Sequence, residues 1–225
     1  MLKNVLQNSW NFFTNNYNDI AAIILPFVIP VELISGIYKY YFVTVEFDLY
    51  EQIFPVSLHF LALPVYSVAV IFYMASKSSG EITDIKSLWV KGLSNWGRYI
   101  ILYALILISV MLGIIIFIIP GIILGVRLAF ADFCLLYNNT NPLVSIKNSW
   151  NATKDYKWII FKGYALIALI TFLPYYLLTG LYNESYIPSI VFNSVLNIIY
   201  SVVNMVYTIF AYNVYKLQKI GITGN

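Results

Sequence analysis

The sequence predicts an all-α, polytopic membrane bundle of about six transmembrane helices, joined by amphipathic helices lying in the interface. Three observations carry that class. Hydrophobic residues make up 60% of the chain and charged residues 10%, with mean hydropathy +0.77, outside the usual range of a soluble domain. Apolar segments of about 20 residues, the length that crosses a hydrocarbon core of about 30 Å, recur along the chain. The basic residues gather on alternate connections, as orientation in a membrane requires. With 225 residues committed to such spans, little is left for an aqueous domain, and residues 1–225 read as one integral membrane domain.

Taken in order, Leu2, Val5, Leu6, Trp10 and Phe13 recur at helical spacing between polar residues, the pattern of a short amphipathic helix with Trp10 at headgroup depth. No basic stretch precedes a short apolar run with a cleavage site, so a cleavable signal peptide is not expected. Spans follow at 20–38 and 53–75. The segment 82–95 reads as a second interfacial helix, anchored by Trp89 and Trp96. From Ile100 to Tyr137 the chain is nearly continuous hydrocarbon. A single helix there is about 38 residues and roughly 57 Å long, too long for one straight span. The reading is a tight hairpin of spans 99–119 and 122–137, with Pro120 starting the second helix and Gly121 easing the reversal. A third interfacial helix at 142–154 carries Trp150. The last spans are 158–178, opening on Trp158, and 187–215.

A repeat runs through this order. Asn8-Ser9-Trp10-Asn11, Ser94-Asn95-Trp96 and Asn148-Ser149-Trp150-Asn151 each close an amphipathic stretch and introduce a span. Trp96 to Pro120 and Trp150 to Pro174 are both 24 residues apart. Units 1–76, 82–137 and 142–216 then form a parallel threefold repeat, unlike the inverted repeats of many secondary transporters. The alternative is that each point of insertion independently favours Trp beside small polar residues.

Eleven basic residues fall on the side of the N-terminus and one, Lys39, falls opposite, with Arg127 inside a span. Glu46, Asp48, Glu51 and Glu184 lie on the opposite side. Both termini are therefore expected in the cytoplasm. The net charge of +3 follows from this topology and from contact with anionic lipid, and nucleic acid is not an expected partner.

Within the spans, Glu32 and Arg127 are each reckoned roughly 10–12 Å below the outer end of their helices, so an ion pair between them is expected, with His59 near the same level. A buried charge in a bilayer demands a partner or a wet cavity. The pair reads either as a register-fixing contact or as a substrate or proton site. Asp132 lies about 140° around the helix from Arg127 and reads as a solvated cap or a contact to an interfacial helix. Asn193, Asn197, Ser201, Asn204 and Thr208 form one helical face, which must look inward, either for packing or as a hydrophilic groove. The single cysteine, Cys134, excludes an internal disulfide and reads as a packed thiol. No metal centre or cofactor is expected, since one histidine and one cysteine cannot build a His/Cys site. No phosphate loop, nucleophile elbow or zinc-helix motif is present, so the chain reads as non-enzymatic. Three glycosylation sequons occur, of which Asn183 alone is placed outside.

The run Phe117-Ile118-Ile119-Pro120-Gly121-Ile122-Ile123-Leu124, an apolar helix, then Asn141-Pro142-Leu143 and Ile146-Lys147-Asn148-Ser149-Trp150, resembles the bacterial YciC-like inner-membrane proteins. It is also similar to the membrane domain preceding some glycerophosphodiester phosphodiesterases. The likeness covers Ile100 to about Lys162 by motif and the remainder by topology. It implies a six-span helical protein of the bacterial cytoplasmic membrane. Asp132 departs from the pattern, where apolar residues or Pro are usual, and no phosphodiesterase domain stands in these residues, so that activity is not carried over. Two functions then compete. One is a scaffold or accessory subunit acting in envelope or lipid organisation, whose interfacial helices bind lipid, a membrane-protein partner or a second copy. The other is a small transporter or channel using Glu32, His59, Arg127 and the polar stripe.

Overall fold

The computed structural model describes residues 1–42, 49–180 and 187–223. Glu46, Asp48, Glu184 and the sequon at Asn183 lie outside them. All regular structure among the described residues is helical: α1 (Leu2–Asn15), α2 (Tyr17–Phe42), α3 (Leu49–Ser79), α4 (Ile85–Ile116), α5 (Ile118–Arg127), α6 (Ala131–Tyr137), α7 (Pro142–Ala152), α8 (Lys157–Thr179), α9 (Ile187–Val203) and α10 (Met205–Thr223). Six stretches are long and apolar enough to cross a membrane, Tyr17–Phe42, Glu51–Ser79, Ile85–Ile116, Ile118–Tyr137, Lys157–Thr179 and Pro188–Lys219. The chain is a multi-pass membrane protein. Pro26, Pro30, Pro55, Pro64 and Pro174 lie inside helices, as a bundle whose neighbours re-satisfy the freed carbonyls allows.

Three antiparallel hairpins, α2–α3, α4–α5 and α8–α9, follow one another around a ring, and α2 against α9 closes it. The ends of α2, α4 and α8 and the starts of α3, α5 and α9 share one end of the bundle. The opposite end holds α1, α7 and most of the lysines, and is called here the basic end. Large exposed apolar side chains lie along α4 beyond Ile101, along α5 and along α8, the surface that faces lipid. The buried core sits nearer the basic end. It is built from the second halves of the three hairpins: Val68, Ala69, Val70 and Ile71 of α3, Phe133 and Leu135 of α6, and Phe210, Ala211 and Val214 of α10. Tyrosines join these strands of the core. Tyr137 donates to the Ile71 carbonyl at 3.0 Å, Tyr212 to Ser78 Oγ at 3.2 Å, and the Phe133 ring stacks on Tyr215 at 5.3 Å.

Four expectations are corrected by this architecture. Residues 82–95 form no separate interfacial helix, because 85–116 is one continuous helix. Its first half crosses α2 and α3, where Trp89 Nε1 donates to the Ile23 carbonyl at 3.1 Å and Trp96 Nε1 to the Leu61 carbonyl at 2.9 Å. These two tryptophans are helix-to-helix ties, whereas Trp10 and Trp158 stay outward at 51% and 64% exposure, as headgroup anchors do. The reversal of the middle hairpin is at Phe117, in extended backbone with φ −159° and ψ 148°. Pro120 sits in the first turn of α5, where no intrahelical N–H bond is owed. Gly121 serves contact instead: a Cβ there meets Ile114 N at 2.8 Å, and one at Gly113 meets Gly121 Cα at 2.8 Å. Both returning spans of the later hairpins are broken, after Arg127 and at Asn204.

The interfacial helices hold those returning helices. Asn213 of α10 donates to Ser9 Oγ of α1 at 2.9 Å. Ser149 of α7 donates to the Arg127 carbonyl at 2.9 Å and accepts from Phe130 N at 3.1 Å, bridging the break itself. Thr153 donates to the same carbonyl at 3.1 Å. In both Asn-Ser-Trp-Asn motifs the serine is therefore the buried contact to the second half of the hairpin that precedes it around the ring.

Candidate functional site: a polar cavity between α2, α3 and α9

Three helices each offer one face. Glu32, Ser35, Gly36 and Lys39 on α2 fall at i, i+3, i+4 and i+7, as do Gln52, Pro55, Val56 and His59 on α3, and Ile190, Asn193, Ser194 and Asn197 on α9. That spacing places each set on one side of its helix. The packing of α2 against both α3 and α9 turns the three sides toward a cavity of about 150 Å³. Gly36 faces α9 at close range, a Cβ there falling in van der Waals contact with Ser194 Oγ at 3.4 Å. Glu32 is ten residues from the end of α2, about 15 Å along the helix, or mid-depth in a core of about 30 Å.

Glu32 is 3% exposed and its two oxygens are held differently. Oε2 accepts from Asn197 Nδ2 at 3.2 Å, and Asn197 Oδ1 accepts from the Tyr175 hydroxyl of α8 at 2.7 Å. Oε1 lies 3.0 Å from His59 Nε2, within ion-pair distance, yet no donor is aligned on it. Ser35 Oγ and Asn193 Oδ1 are also buried without a hydrogen-bond partner. Buried polar atoms are nearly always paired, because desolvating one without replacement costs about 1–3 kcal/mol. Here three oxygens without an aligned hydrogen bond line a single cavity, one of them at ion-pair distance from His59, and the cavity has room for about five waters at roughly 30 Å³ each. Two of the three can only accept, so the cavity is built for a donor. Lys39 stands on its lining as a group of opposite charge, beside the half-exposed His59.

The ion pair expected between Glu32 and Arg127 does not form. Residue counting put the two at similar depth, but α2 packs between α3 and α9 whereas α5 packs between α4 and α8, so the two charges face different neighbours. Arg127 instead lays its guanidinium over the Trp150 ring at 4.5 Å. Asp132 is not a solvated cap. It lies in the first turn of α6, beside the buried Tyr99 of α4. Of the stripe, Asn193 and Asn197 line the cavity, Ser201 donates back to the Asn197 carbonyl at 2.8 Å, and Asn204 occupies the break between α9 and α10. Thr208 is half-buried on α10, on the far side of that break. Cys134 is buried. Ser35, Gln52 and Ser194 escaped the sequence reading, although each lies three, four or seven residues from a residue that was singled out.

No protein-family model, no curated protein and no solved structure matches this chain.

Proposed function

We propose that this is a non-enzymatic, YciC-like protein of the bacterial cytoplasmic membrane, with both termini cytoplasmic, that works as a small solute-handling protein of the transporter class. Its substrate is a small, hydrogen-bond-donating polar solute received between α2, α3 and α9. The observation that carries this reading is the convergence on one cavity of two buried oxygens with no hydrogen-bond partner, Ser35 Oγ and Asn193 Oδ1, beside a buried carboxylate, Glu32, whose Oε1 has only the His59 contact. The basic residues of the α1/α7 end support the orientation through their attraction to the cytoplasmic side. On that orientation the cavity lies toward the outer surface. In a chain with Cys134 replaced by Ser, a cysteine at Asn193 is expected to react with a small cationic thiol reagent added from outside, and Glu32→Gln to slow that reaction. If the Asn193 cysteine stays unmodified from both sides while a cysteine at exposed Lys154 is labelled, the solute reading fails.

A second reading, the scaffold or accessory subunit, draws on α1 and α7. Their polar faces are bonded to the bundle, which leaves Trp10 and Leu143 outward for lipid or a membrane partner. Replacing Leu143 with Glu separates the two readings: it releases a co-purifying partner if the scaffold reading holds, and leaves Asn193 labelling unchanged if the cavity is the working part.

A further inference from the structure

Between α5 and α8 a second cavity of about 320 Å³ opens on the lipid-facing surface. Its wall is apolar, with Ile123 and Val126 on one side and Phe161 on the other, and its polar groups are Arg127, Lys157 and the indole of Trp158. Lys157 begins its span and Trp158 follows it, a pair that marks headgroup level. Arg127 lines the same cavity and is fixed by its backbone, since Ser149 and Thr153 both donate to its carbonyl. Its guanidinium rests on Trp150 at 4.5 Å, and Nε is buried with no hydrogen-bond partner. Among the described residues no carboxylate lies within ion-pair distance of it. Two cations without a protein anion, at the head of an apolar groove facing the bilayer, are complementary to one class of molecule.

We infer that the α5/α8 groove seats an anionic phospholipid, with one acyl chain along Ile123, Val126 and Phe161 and the phosphate taken by Arg127 and Lys157. A guanidinium matches phosphate geometry, and Lys157 adds a point charge. Basic pockets between transmembrane helices are a recurrent form of lipid-headgroup recognition. The groove shares no residue with the polar cavity, so the fate of the solute reading leaves it untouched.

The test uses the full chain in bilayer discs of phosphatidylcholine alone or mixed with phosphatidylglycerol, and reads lipid retained in native mass spectra together with the thermal midpoint. The natural chain is expected to retain phosphatidylglycerol over phosphatidylcholine by roughly 30-fold, about 2 kcal/mol at 1.4 kcal/mol per tenfold. Arg127→Gln with Lys157→Gln is expected to remove the preference. Because Arg127 also stacks on Trp150, Lys157→Gln alone and Arg127→Lys test the charge with the stack less disturbed, and each is expected to retain part of it. Ile123→Trp fills the groove, keeps both cations and is expected to abolish retention, while Lys216→Gln with Lys219→Gln at the same end leaves it intact. Unchanged preference in the Arg127/Lys157 double variant or in Ile123→Trp overturns the proposal, as does loss in the Lys216/Lys219 control. Displacement of the lipid by inorganic phosphate overturns the role of the acyl chain.

Discussion

Glu32 is the residue on which the polar cavity turns, and the cost of altering it separates stability from binding. Glu32→Ala strands Asn197 and His59, and interhelical polar contacts in membranes contribute about 0.6 kcal/mol on average, rising to about 1.7. A fall in thermal stability in detergent of that size is expected, with Glu32→Gln falling less because an amide still accepts from Asn197. Two glycines set sharper limits. A Cβ at Gly163 meets the Phe210 ring at 2.0 Å, and one at Gly92 meets the Val65 carbonyl oxygen at 2.3 Å. Gly163→Ala is expected to destabilise by about 1–3 kcal/mol, and Phe210→Leu in the same chain to recover most of it. Gly92→Ala is expected to cost at least as much, with no recovery from Val65→Ala, since the obstacle is backbone. Paired unfolding midpoints for the single and double variants check both statements. The sequence marked Glu32, His59, Asn193 and Asn197 because charge and amides stand out against hydrocarbon. It could not assign their partners, because depth along a helix follows from counting residues, whereas direction around the ring is decided by which helices pack together.

At the scale of the helices, α2 and α8 begin and end within a few residues of the expected spans, since their limits are where hydrocarbon stops. The fusion of 85–98 into α4 was hidden. Leu88, Gly92 and Tyr99 make the same periodic face whether that segment lies in the interface or climbs across α3. The breaks after Arg127 and at Asn204 were hidden too, as neither carries a Pro or Gly and both depend on contacts from distant segments. The ties make the fusion testable. Trp89→Phe and Trp96→Phe each remove an indole N–H bond to a neighbouring helix, and a loss of about 0.5–1.5 kcal/mol is expected. Trp158→Phe, outward on α8, is expected to change the midpoint little. For the break after Arg127, Ser149→Ala leaves Phe130 N and the Arg127 carbonyl short of a partner. Combined with Thr153→Val it is expected to loosen α7, read as faster amide exchange over 142–152 with α2 and α3 unaffected.

The whole molecule is a ring that closes between its first and last spans. With Cys134 replaced, cysteines at Gly36 and Ser194, where a Cβ on residue 36 would lie 3.4 Å from the Ser194 Oγ position, are expected to join on mild oxidation, seen as loss of two titratable thiols. Cysteines at Gly36 and Gly125, on different sides of the ring, are not. The three hairpins were legible as paired apolar spans, and Ser9 and Ser149 share the role of tying an interfacial helix to a returning helix. Their order around a circle was not legible, because nothing in a linear chain states that its ends meet. The bond from Asn213 to Ser9 spans 204 residues, and that separation has a consequence for biosynthesis. At about 5–20 residues per second, α1 leaves the ribosome roughly 10–40 s before the helix that receives it exists. Thus α1 waits for α10 to be made before it is seated. A ribosome stalled before α10 leaves Ser9 without its Asn213 partner, so the docking of α1 reports that α10 has been made.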